Sequence, residues 1–276
     1  MACRRSGFGE GLYRRTAAGR DLLLAAYHTS SEVCVEVSTF EDYALSHETH
    51  VLGLLNDLST VAEHLPECRI FYASSSSVFE CERGETQNKL IEIIPSEFDG
   101  MTKLQGIWLC REFRKSKNVF VSVGILYNYE SPYRATRFLS QKIVSTAARI
   151  VAGSPEKLRL GDISARVDWG YAGDYVVAFQ KILALSEGDE FIIATSEAHS
   201  LQEFAELTFN LLGLDWRDYT ELNPGVLTRR LSVRIGDASK LRAASGCQPT
   251  LNFPGLINLL VAAEQARAVS PLYPDQ

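Results

Sequence analysis

Four consecutive hydroxyls, Ser74–Ser77, close the apolar run Arg69–Ala73, and a serine at such a strand end commonly satisfies nearby backbone groups. Further on, Pro95 precedes Ser96-Glu97-Phe98-Asp99, the pattern of a helix start, with Lys103 four residues after Asp99. An acid there complements the helix dipole, and the i,i+4 pair adds about 0.3–0.5 kcal/mol. His47 and His50 stand three apart with Glu48 between them but no third ligand close by, so metal binding is not indicated. Gly7-Phe8-Gly9-Glu10-Gly11 lacks the G-x-G-x-x-G spacing of a phosphate loop, and only six residues precede it. Arg134, Lys142, Arg166 and Arg230 are chemically suited to phosphate, arginine by its planar fork and lysine as a point charge. Each of them alone is more often a solvated surface charge.

The chain that must position these groups has 276 residues, 46% hydrophobic and 22% charged, with a formal net charge of −6. That is the composition of a globular protein without the basic face a nucleic-acid partner requires, and no apolar run is long enough to span a membrane. Six cysteines, never closer than 13 residues, suit neither a zinc site nor a disulfide framework and point to free thiols in a reducing, cytoplasmic compartment. Residues 1–20 carry five arginines and one acid, Glu10, which reads as a disordered basic arm or a transit segment.

From Asp21 onward strand-like and helix-like segments alternate. Leu22–Ala26, Arg69–Ser74, Val119–Leu126 and Phe191–Ala194 read as buried strands. Helical stripes lie at 48–65, around Leu104, Ile107, Trp108 and Phe113, and at 138–152 and 172–185. Ser200-Leu201-Gln202-Glu203 is a capping box, Asp237 caps a short helix, and Phe253-Pro254-Gly255 opens a last helix, Leu256 to about Ala268, before a frayed tail at 270–276. The alternation predicts an α/β fold, a parallel sheet with helices on its faces. Ligands of such sheets sit at the carboxyl ends of the strands, where Ser74–Ser77 and Tyr127–Arg134 fall.

Phe71–Phe79, reading FYASSSSVF, resembles extended short-chain dehydrogenases/reductases that act on nucleotide sugars. Gly124–Pro132 with Arg134 resembles the G-I-L-F-N-H-E-S-P-x-R segment of GDP-mannose 4,6-dehydratases. Gln141-Lys142-Ile143, Asp168–Tyr175 (DWGYAGDY) and Phe191–Phe204 are similar to further segments of that family, as are Arg230 and Gly236-Asp237. The resemblance covers residues 21–268. It implies an incomplete Rossmann-like sheet without its first strands, and a smaller α/β substrate domain. The corresponding division is an arm at 1–20, a partial core at 21–127 to which 164–195 returns, and an interleaved nucleotide-sugar part at 128–276.

The resemblance implies NADP as cofactor and a lyase reaction: oxidation at C4 of the hexose, loss of water across C5–C6, and return of the hydride to C6. It also implies a catalytic Ser/Thr, a Glu two residues on, a Tyr 24 beyond the Ser/Thr, and a Lys four after that. Counted without gaps, these fall on Ser75, Ser77, Asp99 and Lys103, with Ser74 and Lys103 where the cofactor would lie. Glu has become Ser and Tyr has become Asp. Aspartate, with an ordinary pKa of ~3.9 and a shorter reach, replaces the tyrosine poorly as a proton acceptor. A serine hydroxyl does not titrate near neutrality, and the Gly-rich cofactor loop has no counterpart. Asn128, Arg134, Lys142, Arg166 and Arg230 are the implied substrate-binding set. Three expectations stay open: a degenerate dehydratase-like protein that binds a GDP-sugar, a partner subunit of a full-length homologue, or a piece whose cofactor loop lies upstream. Another acid–base activity using Ser75, Asp99 and Lys103 is a further alternative. An uncovered sheet edge predicts a homo- or hetero-oligomer.

Overall fold

The computed structural model describes residues 12–15, 21–25, 40–79, 86–87, 95, 98–223 and 235–269. The chain opens with β1 (Leu12–Arg15), β2 (Asp21–Ala25), α1 (Phe40–His47), a π turn (Glu48–Leu52) and α2 (Gly53–His64). β3 (Arg69–Ser75), a 3-10 turn (Ser76–Val78), β4 (Thr86–Gln87), α3 (Phe98–Lys117) and β5 (Val121–Leu126) follow. Then come β6 (Asn128–Glu130), α4 (Leu139–Val151), β7 (Leu158–Leu160), β8 (Arg166–Val167), β9 (Trp169–Tyr171) and α5 (Ala172–Leu183). The remainder holds β10 (Glu190–Ile193), β11 (His199–Ser200), α6 (Leu201–Leu211), α7 (Trp216–Tyr219) and β12 (Thr220–Leu222). β13 (Ile235–Gly236), α8 (Ser239–Ser245) and α9 (Phe253–Val269) complete it.

β3 and β5 are buried along nearly their whole length, as strands covered on both faces must be. They centre a sheet of order β1-β2-β3-β5-β10, parallel from β2 onward. The register sets Ser75 beside Leu126 and Leu126 beside Ile193, so the carboxyl ends of β3, β5 and β10 share one rim. On one face α2 and α3 bury Leu54, Leu58, Val61 and Ile107 against Ile70, Tyr72 and Val123. On the other, α5 and α8 bury Tyr175, Ile182 and Leu241 against Phe71 and Ile193. Each such aliphatic or aromatic side chain contributes about 1.5–3 kcal/mol. A second core is built apart from the sheet, where α4, α6 and α9 enclose Trp169, Phe204, Phe209, Ile257 and Leu260. The α/β architecture with a parallel sheet is thus the one the alternation predicts.

Several details differ from the sequence expectations. Within residues 1–20, expected to be irregular, Leu12–Arg15 forms a strand antiparallel to β2, so the edge of β2 that the sequence left open is covered. The helix expected at 48–65 is preceded by further helix from Phe40, whose first turn carries Glu41 and Asp42 at the favourable end of the dipole. Trp108, counted in the buried stripe of α3, is 60% exposed and lies under the Arg111 guanidinium at 4.8 Å. α9 starts at Phe253 because Asn252 Oδ1 accepts the Gly255 amide at 3.0 Å. Asp237 accepts the Ser239 amide at 2.9 Å, although Ala238 occupies the N-cap of α8. The capping box at Ser200 and Glu203 is present with both bonds.

Candidate functional site

α3 enters the site end-on. Its first turn abuts the 3-10 turn so closely that a Cβ on Gly100 would stand 2.3 Å from the Ser77 carbonyl oxygen, so only glycine fits. Ser75 caps the 3-10 turn, its Oγ accepting the Ser77 amide at 3.2 Å. Ser77 Oγ in turn donates to Asp99 Oδ2 at 3.1 Å. One turn along α3, Lys103 is buried, with Nζ 3.4 Å from the Ala73 carbonyl and 5.9 Å from the centre of the Tyr72 ring. Burial raises the Tyr72 phenol well above its ordinary pKa, which keeps it neutral. Ser74 Oγ is buried, with no hydrogen-bond partner among the described residues. Ser74, Ser75, Ser77, Asp99 and Lys103 therefore gather at the carboxyl end of β3.

The implied substrate-binding cations occupy a different setting. Arg134 Nε pairs with Glu130 at 3.3 Å, its Nη1 donates to the Tyr129 carbonyl at 2.8 Å, and its guanidinium covers the Phe138 ring at 3.9 Å. Burial raises the Glu130 carboxyl above the usual carboxylate range, while Arg134 and the Ser140 hydroxyl pull it back. Lys142 Nζ donates to the Arg159 carbonyl at 3.0 Å, and Arg166 Nη2 to the Ala198 carbonyl at 2.6 Å. Asn128 opens β6 and is exposed. Arg230 lies outside the described residues. Among the described residues no hydrogen bond or ion pair joins Asn128, Arg134, Lys142 and Arg166 to one another.

Asp168, in the segment DWGYAGDY, is a structural anchor at the rim. Fully buried, it accepts the Thr195 amide and hydroxyl at 2.9 and 2.6 Å, the Ser196 amide at 2.9 Å and the Gly236 amide at 3.4 Å. Burial raises its pKa, and those donors oppose the rise. They also hold Ser196 in the left-handed region at φ 69°. Asp168 thereby ties the end of β10 to β13.

Two residues entered the site unannounced. His50, weighed only as a metal ligand, is fully buried with Nδ1 2.8 Å from Thr102 Oγ1. Glu130 lay inside a matched segment without a role of its own. The i,i+4 spacing of Glu130 and Arg134 was a usable signal for that pair; nothing in the sequence signalled a contact between residues 50 and 102. Among the described residues, no group of three or more His, Cys, Asp or Glu could hold a metal ion, and no helix is long and apolar enough to cross a membrane.

Against known proteins, the sequence profile of the family described as GDP-mannose 4,6 dehydratase matches residues 24–260. The chain is 32% identical over 243 residues to GDP-mannose 4,6 dehydratase 2 of Arabidopsis thaliana, covering 85% of this chain and 64% of that protein. It is 31% identical to GDP-mannose 4,6 dehydratase of Cricetulus griseus, covering 83% and 71% respectively. Among solved structures it is similar to RMD from Pseudomonas aeruginosa complexed with NADPH, at a TM-score of 0.75 and 20% identity over 83% of this chain and 77% of that one. It is also similar to dTDP-glucose 4,6-dehydratase from Bacillus anthracis in complex with NAD, at a TM-score of 0.73 and 18% identity over 82% and 71% of the two chains.

Proposed function

Because the chain belongs to the GDP-mannose 4,6-dehydratase family, we propose that it binds a GDP-sugar and is impaired in the dehydratase chemistry. The observation that carries this is the Ser77–Asp99 hydrogen bond at 3.1 Å. The two positions at which the family resemblance calls for a glutamate and a tyrosine hold instead a hydroxyl and a short carboxylate, bonded to each other. Neither supplies a proton acceptor of tyrosine's reach, so the product is a binding corner rather than a dehydratase centre. Ser75, Asp99 and Lys103 line the sugar end; Asn128, Arg134, Lys142, Arg166 and Arg230 are assigned to the nucleotide.

NADP follows from the same likeness, and here the fit is partial. Ser74, whose buried hydroxyl has no partner among the described residues, and Lys103 are suited to the nicotinamide end. The described residues offer no Gly-rich turn into a helix N-terminus for the pyrophosphate. The division into a core at 21–127 with 164–195 and a nucleotide-sugar part at 128–276 is supported by the separate packing of α4, α6 and α9. The wide spacing of the six cysteines supports a cytoplasmic setting.

Calorimetric titration with GDP-mannose, then separately with NADP, tests the proposal, together with mass spectrometry of a mixture of all three. Binding of the sugar nucleotide without a product lighter by one water is expected. Turnover to the dehydrated sugar would overturn the impairment, and absence of binding would overturn the pocket.

A second reading, a partner subunit for a full-length homologue, is favoured by apolar side chains facing solvent two turns apart on α3. Met101 is 45% and Trp108 60% exposed. Homo- or hetero-oligomers belong to this reading.

A further inference from the structure

His50 is fully buried. Ser46, His50, Leu54 and Leu58 are the buried positions of one helical face, each four residues from the last. At about 100° per residue such a series drifts by about 40° per step. The wider π turn at Glu48–Leu52 takes up that drift and keeps His50 on the buried face, directed at the first turn of α3. Burying an imidazole costs free energy unless its N–H is bonded, so a position that served packing alone would be apolar.

The bonds of His50 lead to Asp99. Thr102 Oγ1 donates to the Asp99 carbonyl at 3.0 Å, which uses the hydroxyl's only proton. With the hydroxyl proton placed there, His50 Nδ1 is assigned as the donor in the 2.8 Å contact with Thr102 Oγ1. The same nitrogen lies 3.9 Å from Asp99 Oδ1, while Ser77 Oγ donates to Oδ2 at 3.1 Å. One carboxylate oxygen is thus bonded by a hydroxyl, the imidazole stands beyond hydrogen-bond distance of the other, and 24% of the side chain stays open to solvent. A carboxylate held so, at the rim where ligands of parallel sheets bind, accepts hydrogen bonds and donates none. Its matching ligand group is an alcohol.

We propose that His50 is a positioning residue: through Thr102 it holds the turn of α3 that carries Asp99, whose carboxylate, bonded by Ser77, accepts a hydroxyl of the bound sugar. This rests on the GDP-sugar reading above. The experiment compares affinities for GDP-mannose and for GDP in the wild type and in Asp99→Asn, His50→Leu and His50→Asn. The asparagine amide can place an N–H near the site of Nδ1, whereas leucine fills the space without a donor.

The ratio of GDP-mannose to GDP affinity is expected to fall about tenfold in Asp99→Asn and His50→Leu, the loss of one charge-assisted hydrogen bond. His50→Asn should restore most of it, which a merely structural role would not produce. Long-range ¹⁵N spectra of the wild type should show the Nδ1–H tautomer of His50. An unchanged ratio in His50→Leu, no restoration by asparagine, or the other tautomer overturns the inference while GDP-sugar binding stands. If neither GDP-mannose nor GDP binds, the GDP-sugar reading fails and this inference with it. Melting of each variant separates loss of the ratio from loss of the fold.

Discussion

The rim of the sheet holds two polar regions built in opposite ways. At the carboxyl end of β3, the groups around Asp99 come from the π turn, the 3-10 turn and α3, so residues 50, 77 and 102 meet over long sequence distances. After β5 the cations find local partners: Arg134 takes Glu130 and the Tyr129 carbonyl, and Lys142 takes Arg159 seventeen residues on. The first arrangement leaves an anchored acid facing outward. In the second, the positive charge suggested by counting arginines is partly neutralised by the chain itself. A side chain's suitability for a ligand is therefore set by what the fold places beside it, and the two regions should fail differently when altered.

The largest effect is expected where a charge would be stranded. Glu130→Ala removes the partner of the Arg134 guanidinium inside a largely buried pair, at a cost of about 3 kcal/mol. Urea unfolding measures it; a change below about 1 kcal/mol would show that the cationic region does not depend on this pair. At the other region, Gly100→Ala drives a methyl into the Ser77 carbonyl and should cost about 1–3 kcal/mol. The same variant should loosen the Ser77–Asp99 contact, so the GDP-mannose to GDP affinity ratio should drop with stability.

The pH dependence also distinguishes carboxylates. Burial raises the Glu130 pKa above its unfolded value, so its contribution is present below the ordinary glutamate value and lost as pH rises through the folded value. At Glu190, burial would also raise the pKa, but Arg111 and Arg114, at 2.6 and 2.7 Å, override it and lower the carboxyl. Its contribution is present above the ordinary value and lost as pH falls through the depressed one. Denaturation curves of Glu130→Gln and Glu190→Gln across the acid range should therefore diverge from the wild type with opposite slopes. Parallel slopes would dismiss the contrast.

The smallest stability effect is expected at Lys142, whose bond to Arg159 is exposed: Lys142→Ala should stay within about 0.5 kcal/mol of the wild type. If the cationic region binds the diphosphate, GDP affinity should nevertheless fall about tenfold in that variant. Arg134→Ala is the poorer probe, since it also unpairs Glu130.

The sequence by itself determined the alternation of elements, the buried central strands, the capping box at Ser200 and the family. These follow from apolar periodicity and short motifs, which act over a few residues. The family resemblance implied that Ser75, Asp99 and Lys103 belong to one site, and the docking of α3 against the end of β3 brings them together. The sequence left unread the strand at Leu12–Arg15, the outward turn of Trp108, the pairing of Arg134 with Glu130, and the approach of His50 to Asp99. A strand's partner and a helix's buried side depend on which surface packs against it. His50 reaches α3 only because a π turn corrects the phase of its helix and Gly100 admits α3 to the strand end. Contacts of that kind exist only once separate elements have docked, and so the tertiary structure alone decided them.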